Sequence, residues 1–162
     1  LPIALRFDDN GELESWLFSS DFDRLDAVTI KNYKDYVRKV MMKSNMDMGG
    51  TNYAPVLRDM ITYYKDIEPS YMPAFIIFIT DGDNWDEYET NNIVKELSNY
   101  NIFVQFIGIG NAKFSYLRSL DDMKGRKNDN TGFTAVRDMN KMSDEELYTE
   151  ILRQYKDWLN NK

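Results

Sequence analysis

Two short segments of the chain carry side chains that could bind a hard metal cation. Gly49-Gly50-Thr51-Asn52-Tyr53 places a hydroxyl near the predicted start of a helix. Phe78-Ile79-Thr80-Asp81-Gly82-Asp83-Asn84 places a carboxylate directly after an apolar run. Hydroxyl and carboxylate oxygens are the ligands that cations such as Mg²⁺ accept. The two segments therefore predict an oxygen-only cation site, provided that the fold brings them to one edge of a sheet.

The composition of the chain removes most other chemistry. None of its 162 residues is cysteine or histidine, which excludes disulfides, thiol nucleophiles, Ser-His-Asp triads and the usual zinc ligands. A net charge of −7 opposes binding to a phosphate backbone, so we expect no nucleic-acid partner. The longest apolar run, Ala74 to Ile79, is far shorter than the roughly 20 residues of a membrane span, and the first residues lack a signal-peptide pattern. We expect one soluble domain over residues 1–162.

Hydrophobic periodicity predicts alternating strands and helices that would position the two segments. The continuous apolar run 74–80 is typical of a parallel strand that is buried on both faces, and Ser143 with Glu146 forms a capping box at the start of the last helix. The predicted elements are strands at 13–18, 74–80, 102–109 and 133–136, and helices at 32–43, 51–66, 86–100, 112–123 and from 143 onward. We place Thr51 and Asn52 at the N-cap of the second helix. This order predicts an open α/β fold, in which ligands bind at the carboxyl ends of the strands.

Several motifs, in order over nearly the whole chain, resemble one known family. These are Gly50 to Val56, Phe78 to Asn84, Gln105 to Gly110, Leu120 to Asp122 with Gly125-Arg126, Asp129-Asn130, and Ser143 to Tyr148. The set resembles the von Willebrand factor A-like (vWA) domain of bacterial tellurium-resistance (Ter) and stress-response proteins. The resemblance implies a three-layer, Rossmann-like α/β domain with a mostly parallel central sheet.

The resemblance also implies a metal-ion-dependent adhesion site (MIDAS). In the family, this site uses an Asp-x-Ser-x-Ser loop after the first strand, a Thr on a second loop and an Asp on a third. Thr51 and Asp81 match the last two positions, Asp83 is an additional metal candidate, and Asn52, Asn84 and Trp85 are partner-binding candidates. The implied ion is a divalent cation, Mg²⁺ first and Ca²⁺ or Mn²⁺ as alternatives, and it would join this protein to a protein partner.

The chain departs from the family at its beginning. No Asp-x-Ser-x-Ser occurs, and Leu1 to Phe7 resembles the end of the family's first helix. We therefore expect an N-terminally truncated vWA domain that lacks the central first strand and most of the first helix. We expect weak or absent metal binding by this fragment, and self-association through the exposed gap in the sheet is possible unless another segment fills it.

The resemblance implies a cytoplasmic, non-enzymatic binding module that acts in tellurite resistance or stress response, with other tellurium-resistance proteins as candidate partners. Two alternatives stay open. A haloacid-dehalogenase-like, Mg²⁺-dependent phosphatase would use Asp81 as nucleophile and Asp83 as general acid and base, although Trp85 breaks that motif. A metal-free scaffold would use the same face by packing alone. Trp85 either anchors a partner or packs under its loop, and Arg126 with Asp129 is expected to stabilise a loop.

Overall fold

The structure is a computed structural model that describes residues 11–47, 49–67, 69, 71–138 and 141–161. The predicted helix end at Leu1 to Phe7 lies outside these residues. Contacts divide the chain into two compact units, of which the first ends at Val56 and the second begins at Leu57. The boundary falls inside helix α2, which spans Ala54–Thr62.

A β-hairpin forms the sheet of the first unit. Strand β1, Leu13–Phe18, confirms the sequence prediction, and it pairs antiparallel with β2, Phe22–Val28. The tight connection is held by the Ser19 amide, which donates to the Asp21 carbonyl at 2.7 Å. The sequence analysis missed β2, because its polar residues do not alternate strictly with apolar ones.

The predicted continuous helix over 32–43 is wrong in extent. The segment forms one α-helical turn, α1 at Tyr36–Lys39, between 3₁₀ turns at Tyr33–Asp35 and Met41–Lys43. Within these turns only Tyr36 is buried, and its hydroxyl donates to the Asp26 carbonyl. With little apolar surface to bury, the segment lacks the packing that stabilises longer helices.

Helix α2 begins later than predicted. Its first helical residue is Ala54, so Tyr53 precedes it directly and Thr51 and Asn52 lie outside the N-cap position. The helix buries one apolar face, which consists of Val56, Leu57, Met60 and Ile61. A π-helical turn over Tyr63–Ile67 continues the helix.

A three-stranded parallel sheet organises the second unit, in the order β3-β4-β5. Its strands are β3, Ala74–Thr80; β4, Ile102–Ile109; and β5, Thr131–Val136. Its helices are α3, Glu87–Leu97; α4, Ser115–Asp121; and α5, Asp144–Asn160. Each predicted element of this unit is present, although α4 is shorter and β5 begins two residues earlier than predicted. The described residues form two sheets, one of two strands and one of three.

Helices cover both faces of this sheet, which gives the unit three layers. On one face, Ile107 packs in a cluster with Ile151 of α5, and Phe75 stacks on Tyr155 of α5 with ring centroids 4.4 Å apart. On the other face, Phe133 lies 6.0 Å from Phe114, the residue before α4. The fold class predicted from the sequence, a mostly parallel α/β fold, is confirmed in this unit.

The burial of the two long strands differs from the prediction. From Ile102 to Gly108, β4 is buried at every position, as expected for a strand covered on both faces. Strand β3 is not: Ile79 is 47% exposed, and Phe75 and Ile77 are half-buried. Its position beside one neighbour in the described sheet, rather than between two, accounts for this difference.

Helix α5 begins as predicted and also secures the edge of β5. The Ser143 amide donates to Glu146 Oε2 at 2.8 Å and the Glu146 amide donates to Ser143 Oγ at 3.2 Å, which confirms the capping box. Further along the helix, Gln154 Oε1 accepts from the Phe133 amide at 2.9 Å, while Gln154 Nε2 donates to both carboxylate oxygens of Asp121. Burial raises the pKa of the Asp121 carboxyl, and the bond from Gln154 opposes that shift. Gln154 thus connects α4, β5 and α5.

A nearly buried arginine organises the loop between α4 and β5. The Arg126 side chain is 5% exposed and donates to the carbonyls of Met123 at 2.9 Å and Asp121 at 2.7 Å, and to Thr131 Oγ1. It also pairs with Asp129 at 2.7 Å, although that carboxylate is 80% exposed. The predicted pairing of Arg126 with Asp129 is confirmed, and the arginine also bonds backbone that the sequence did not indicate.

Candidate functional site

The loop before α2 carries the first candidate ligand, Thr51. Its side chain is half-buried, and within the described residues its hydroxyl makes no hydrogen bond, so it can accept a ligand role. The neighbouring Asn52 is used structurally: its amide donates to the Ser19 carbonyl at 2.7 Å and its Nδ2 donates to the Ser20 carbonyl at 2.9 Å. These bonds join the loop to the β1–β2 connection, and they keep Thr51 beside it in the first unit.

The loop after β3 carries the second candidate ligand, Asp81, in the second unit. Asp81 and Asp83 are both exposed, and neither forms an ion pair with any residue that the structure describes. The strand register pairs Thr80 with Gly108, so the loop lies at the carboxyl edge of the parallel sheet, beside the loop that follows β4. The position of Asp81 at this edge is therefore the one predicted from the sequence.

A hydrogen-bonded cluster fastens this loop to α3. Asn84 Nδ2 donates to Asp86 Oδ1 at 2.6 Å and to Thr90 Oγ1 at 3.2 Å, and Thr90 Oγ1 donates to Asp86 Oδ1 at 3.2 Å. Asn84 is only 6% exposed, and its buried Oδ1 has no hydrogen-bond partner among the described residues. The loop backbone is thus anchored by Asn84, with one acceptor left unsatisfied.

Two aromatic side chains project from the same stretch. Trp85 is 76% exposed, which decides between the two interpretations of this residue: it does not pack under its loop. Tyr88, which the sequence analysis did not single out, is 75% exposed on the first turn of α3. Trp85 precedes the N-cap residue Asp86, so helical spacing gave no signal that would have linked Tyr88 to it.

The end of β4 needs a glycine for its packing against the residue that precedes α4. A Cβ on Gly108 would lie 2.8 Å from the Phe114 ring, so only glycine fits beside that ring. Phe114 itself has a φ of +51°, in the left-handed region that non-glycine residues seldom adopt. Helix α4 is also joined to α3, because the Tyr116 hydroxyl donates to the Glu87 carbonyl at 3.0 Å.

The candidate ligands are oxygen atoms, which suit a hard cation, but there are too few of them for a complete metal site. Thr51 and Asp81 both offer oxygen, as Mg²⁺, Ca²⁺ and Mn²⁺ require. Across the part of the chain that the structure describes, no three His, Cys, Asp or Glu side chains group as metal ligands would. The meeting of Thr51 of the first unit with Asp81 of the second unit stays a prediction.

No helix among the described residues combines the length and the apolar character that crossing a membrane requires.

Curated proteins with sequence similarity to the chain include YcbR and Copine-C. The Bacillus subtilis (strain 168) protein YcbR, itself uncharacterized, is 38% identical over 161 residues. The match covers 98% of this chain and 65% of YcbR. Copine-C of Dictyostelium discoideum is 30% identical over 93 residues, which cover 56% of this chain and 17% of Copine-C. The chain thus spans less than two thirds of the length of either relative.

Comparison with solved structures and with protein families supports the vWA fold. The crystal structure of the SpRpn10 VWA domain matches with a TM-score of 0.64 at 11% identity, over 94% of this chain and 76% of that one. At that identity the likeness concerns the fold alone. Residues 1–162 also match the family described as the vWA found in the TerF C terminus. The chain therefore belongs to the vWA-TerF-like family.

Proposed function

We propose that the chain is a non-enzymatic protein-interaction module that binds its partner at the carboxyl edge of the parallel sheet. The observation that carries the proposal is the vWA family match over residues 1–162, because domains of this type are generally non-catalytic interaction modules. The exposed Asp81 carboxylate at that edge supports it. The role in tellurite resistance or stress response, the cytoplasmic location and partners among tellurium-resistance proteins belong to the same proposal.

Each candidate residue has a role that follows from its side-chain chemistry. The Thr51 hydroxyl and the Asp81 carboxylate hold the divalent cation. Asp83, which is also exposed, is the additional candidate ligand. When bound, the cation supplies open coordination positions for an acidic group of the partner. Asn84 and Asp86 keep the Asp81 loop on α3 through their hydrogen bond of 2.6 Å. Since Asp-x-Ser-x-Ser is absent from these 162 residues, we propose that this chain alone binds the ion weakly.

Calorimetric titration with MgCl₂ tests the metal site directly. We expect binding in the millimolar range that Asp81→Asn and Thr51→Ala both abolish. Asp157→Asn, an exposed aspartate on α5, is the matched control and should leave the titration unchanged. Mg²⁺ binding that survives Asp81→Asn would contradict the proposed ligand, and tight binding by the unaltered chain would contradict the incomplete site.

The sequence of the parent gene upstream of Leu1 distinguishes the metal-dependent module from a metal-free scaffold. An Asp-x-Ser-x-Ser motif after an apolar strand would supply the remaining ligands of the site. Degenerate residues at that place would support binding through packing alone. Either protein can then be titrated with MgCl₂ beside its own Asp81→Asn variant, and tight binding that the variant removes is expected only for the complete site.

A further inference from the structure

An aromatic pair, Trp85 and Tyr88, is exposed beside the proposed metal loop. The two side chains are 76% and 75% exposed, and neither makes a ring contact or a hydrogen bond with the residues that the structure describes. A single exposed aromatic residue is ordinary, but two within four residues of the chain add exposed apolar surface of the kind found at interaction sites. Exposed tryptophan and tyrosine are also among the residues that dominate binding energy in protein interfaces.

The surroundings of the aromatic pair are acidic and contain no cation from the same stretch of chain. No lysine or arginine occurs between Lys65 and Lys95. Exposed carboxylates flank the pair, and none of them takes part in an ion pair among the described residues; they are Asp81, Asp83, Glu87 and Glu89. A patch of this sign attracts cations and repels anionic membranes and nucleic acids.

A third observation points to a missing hydrogen-bond donor. Asn84 precedes Trp85 directly. Its Oδ1 is buried and has no hydrogen-bond partner among the residues that the structure describes. The amide cannot simply be rotated to satisfy it, because Nδ2 already donates to Asp86 Oδ1 at 2.6 Å. A half turn would place the amide oxygen against that carboxylate. Leaving a buried acceptor unsatisfied is costly, so the loop that carries Trp85 is locally destabilised in the free protein.

We propose that this surface binds a segment of a partner protein that carries arginine or lysine. A cationic side chain of the segment lies over an exposed aromatic ring, of Trp85 or of Tyr88, where the attraction between a cation and an aromatic face operates. The flanking carboxylates complement its charge. The inference extends the proposed function by stating the chemistry of the partner, and the surface needs no metal ion.

Peptide binding observed by NMR tests the inference. The probe is a synthetic peptide of four Arg-Gly repeats, titrated into the ¹⁵N-labelled chain in EDTA, with four Glu-Gly repeats as the opposite charge. The indole N–H signal of Trp85, identified by its loss in Trp85→Phe, is expected to shift with the arginine peptide alone. Raising NaCl from about 50 to about 500 mM should weaken binding by about tenfold, because the contacts are exposed.

Three variants and a matched control locate the surface. Trp85→Ala and Tyr88→Ala should each weaken peptide binding by about fivefold, and the double change Glu87→Gln with Glu89→Gln should reduce its salt dependence. Tyr71→Ala is the control, since Tyr71 is a fully exposed aromatic that precedes β3 instead of following it. Equal binding of both peptides, or equal losses in Trp85→Ala and Tyr71→Ala, would overturn the inference.

Discussion

Replacing Arg126 with methionine should lower the free energy of unfolding by about 2–4 kcal/mol. The guanidinium is nearly buried and bonds two backbone carbonyls, of Asp121 and Met123, together with Thr131 Oγ1. A partly buried polar group that loses its partner costs about 1–3 kcal/mol. Losing the donor to two such carbonyls therefore gives about 2–4 kcal/mol, because water that reaches them replaces part of the lost hydrogen bonding. Methionine keeps the apolar stem, so the change isolates the loss of the donors.

Urea unfolding followed by tryptophan fluorescence measures this difference, with an unchanged slope against urea as the check on two-state behaviour. The control is Asp129→Asn, which removes the exposed half of the ion pair and should cost no more than about 0.5 kcal/mol. If Asp129→Asn costs as much as Arg126→Met, the ion pair holds the loop and the carbonyl argument is refuted. A loss below about 1 kcal/mol for Arg126→Met would refute it as well.

Two further predictions concern the second unit. Because the folded-state pKa of Asp121 is raised, the folded state binds this proton more tightly than the unfolded state, and the contribution of Asp121 to stability falls as pH rises through that window. Asp121→Asn should therefore raise the melting temperature at pH 7, and the gain should vanish below about pH 4, near the ordinary aspartate pKa; a gain that is constant with pH would contradict this. Gly108→Ala should cost about 1–3 kcal/mol in urea unfolding, because its Cβ would lie 2.8 Å from the Phe114 ring. The double variant Gly108→Ala with Phe114→Leu should recover part of that loss, and equal instability in both would show that the contact with Phe114 is not the cause.

The elements that could be predicted from the sequence are those with a strong local signal. The continuous apolar run of β3 and the Ser143–Glu146 capping box are signals from residues that are close in the sequence, and both elements were placed correctly. Strand β2 gave no such signal, because its place depends on antiparallel pairing with β1. The segment around Tyr36 has helical spacing but buries only that residue, so tertiary packing did not complete the helix.

The candidate site was likewise predictable only where the sequence has a strong local pattern. The sequence predicted that Asp81 ends a strand at the carboxyl edge, because an apolar run that stops at Asp-Gly is itself a local pattern. It could not indicate the bonds of Asn84 to Asp86 and Thr90, which depend on how the loop folds over α3. The exposure of Trp85 and Tyr88 depends equally on which surface the neighbouring elements leave uncovered.

The bond from the Phe133 amide to Gln154 has a consequence for aggregation. Strand β5 ends the described sheet order, and an unpaired strand edge is a template on which strands of other molecules can add. Gln154 Oε1 occupies the Phe133 amide at 2.9 Å, where an added strand would otherwise place a carbonyl. A side chain of α5 thus removes one amide from the row of backbone donors that an added strand would use.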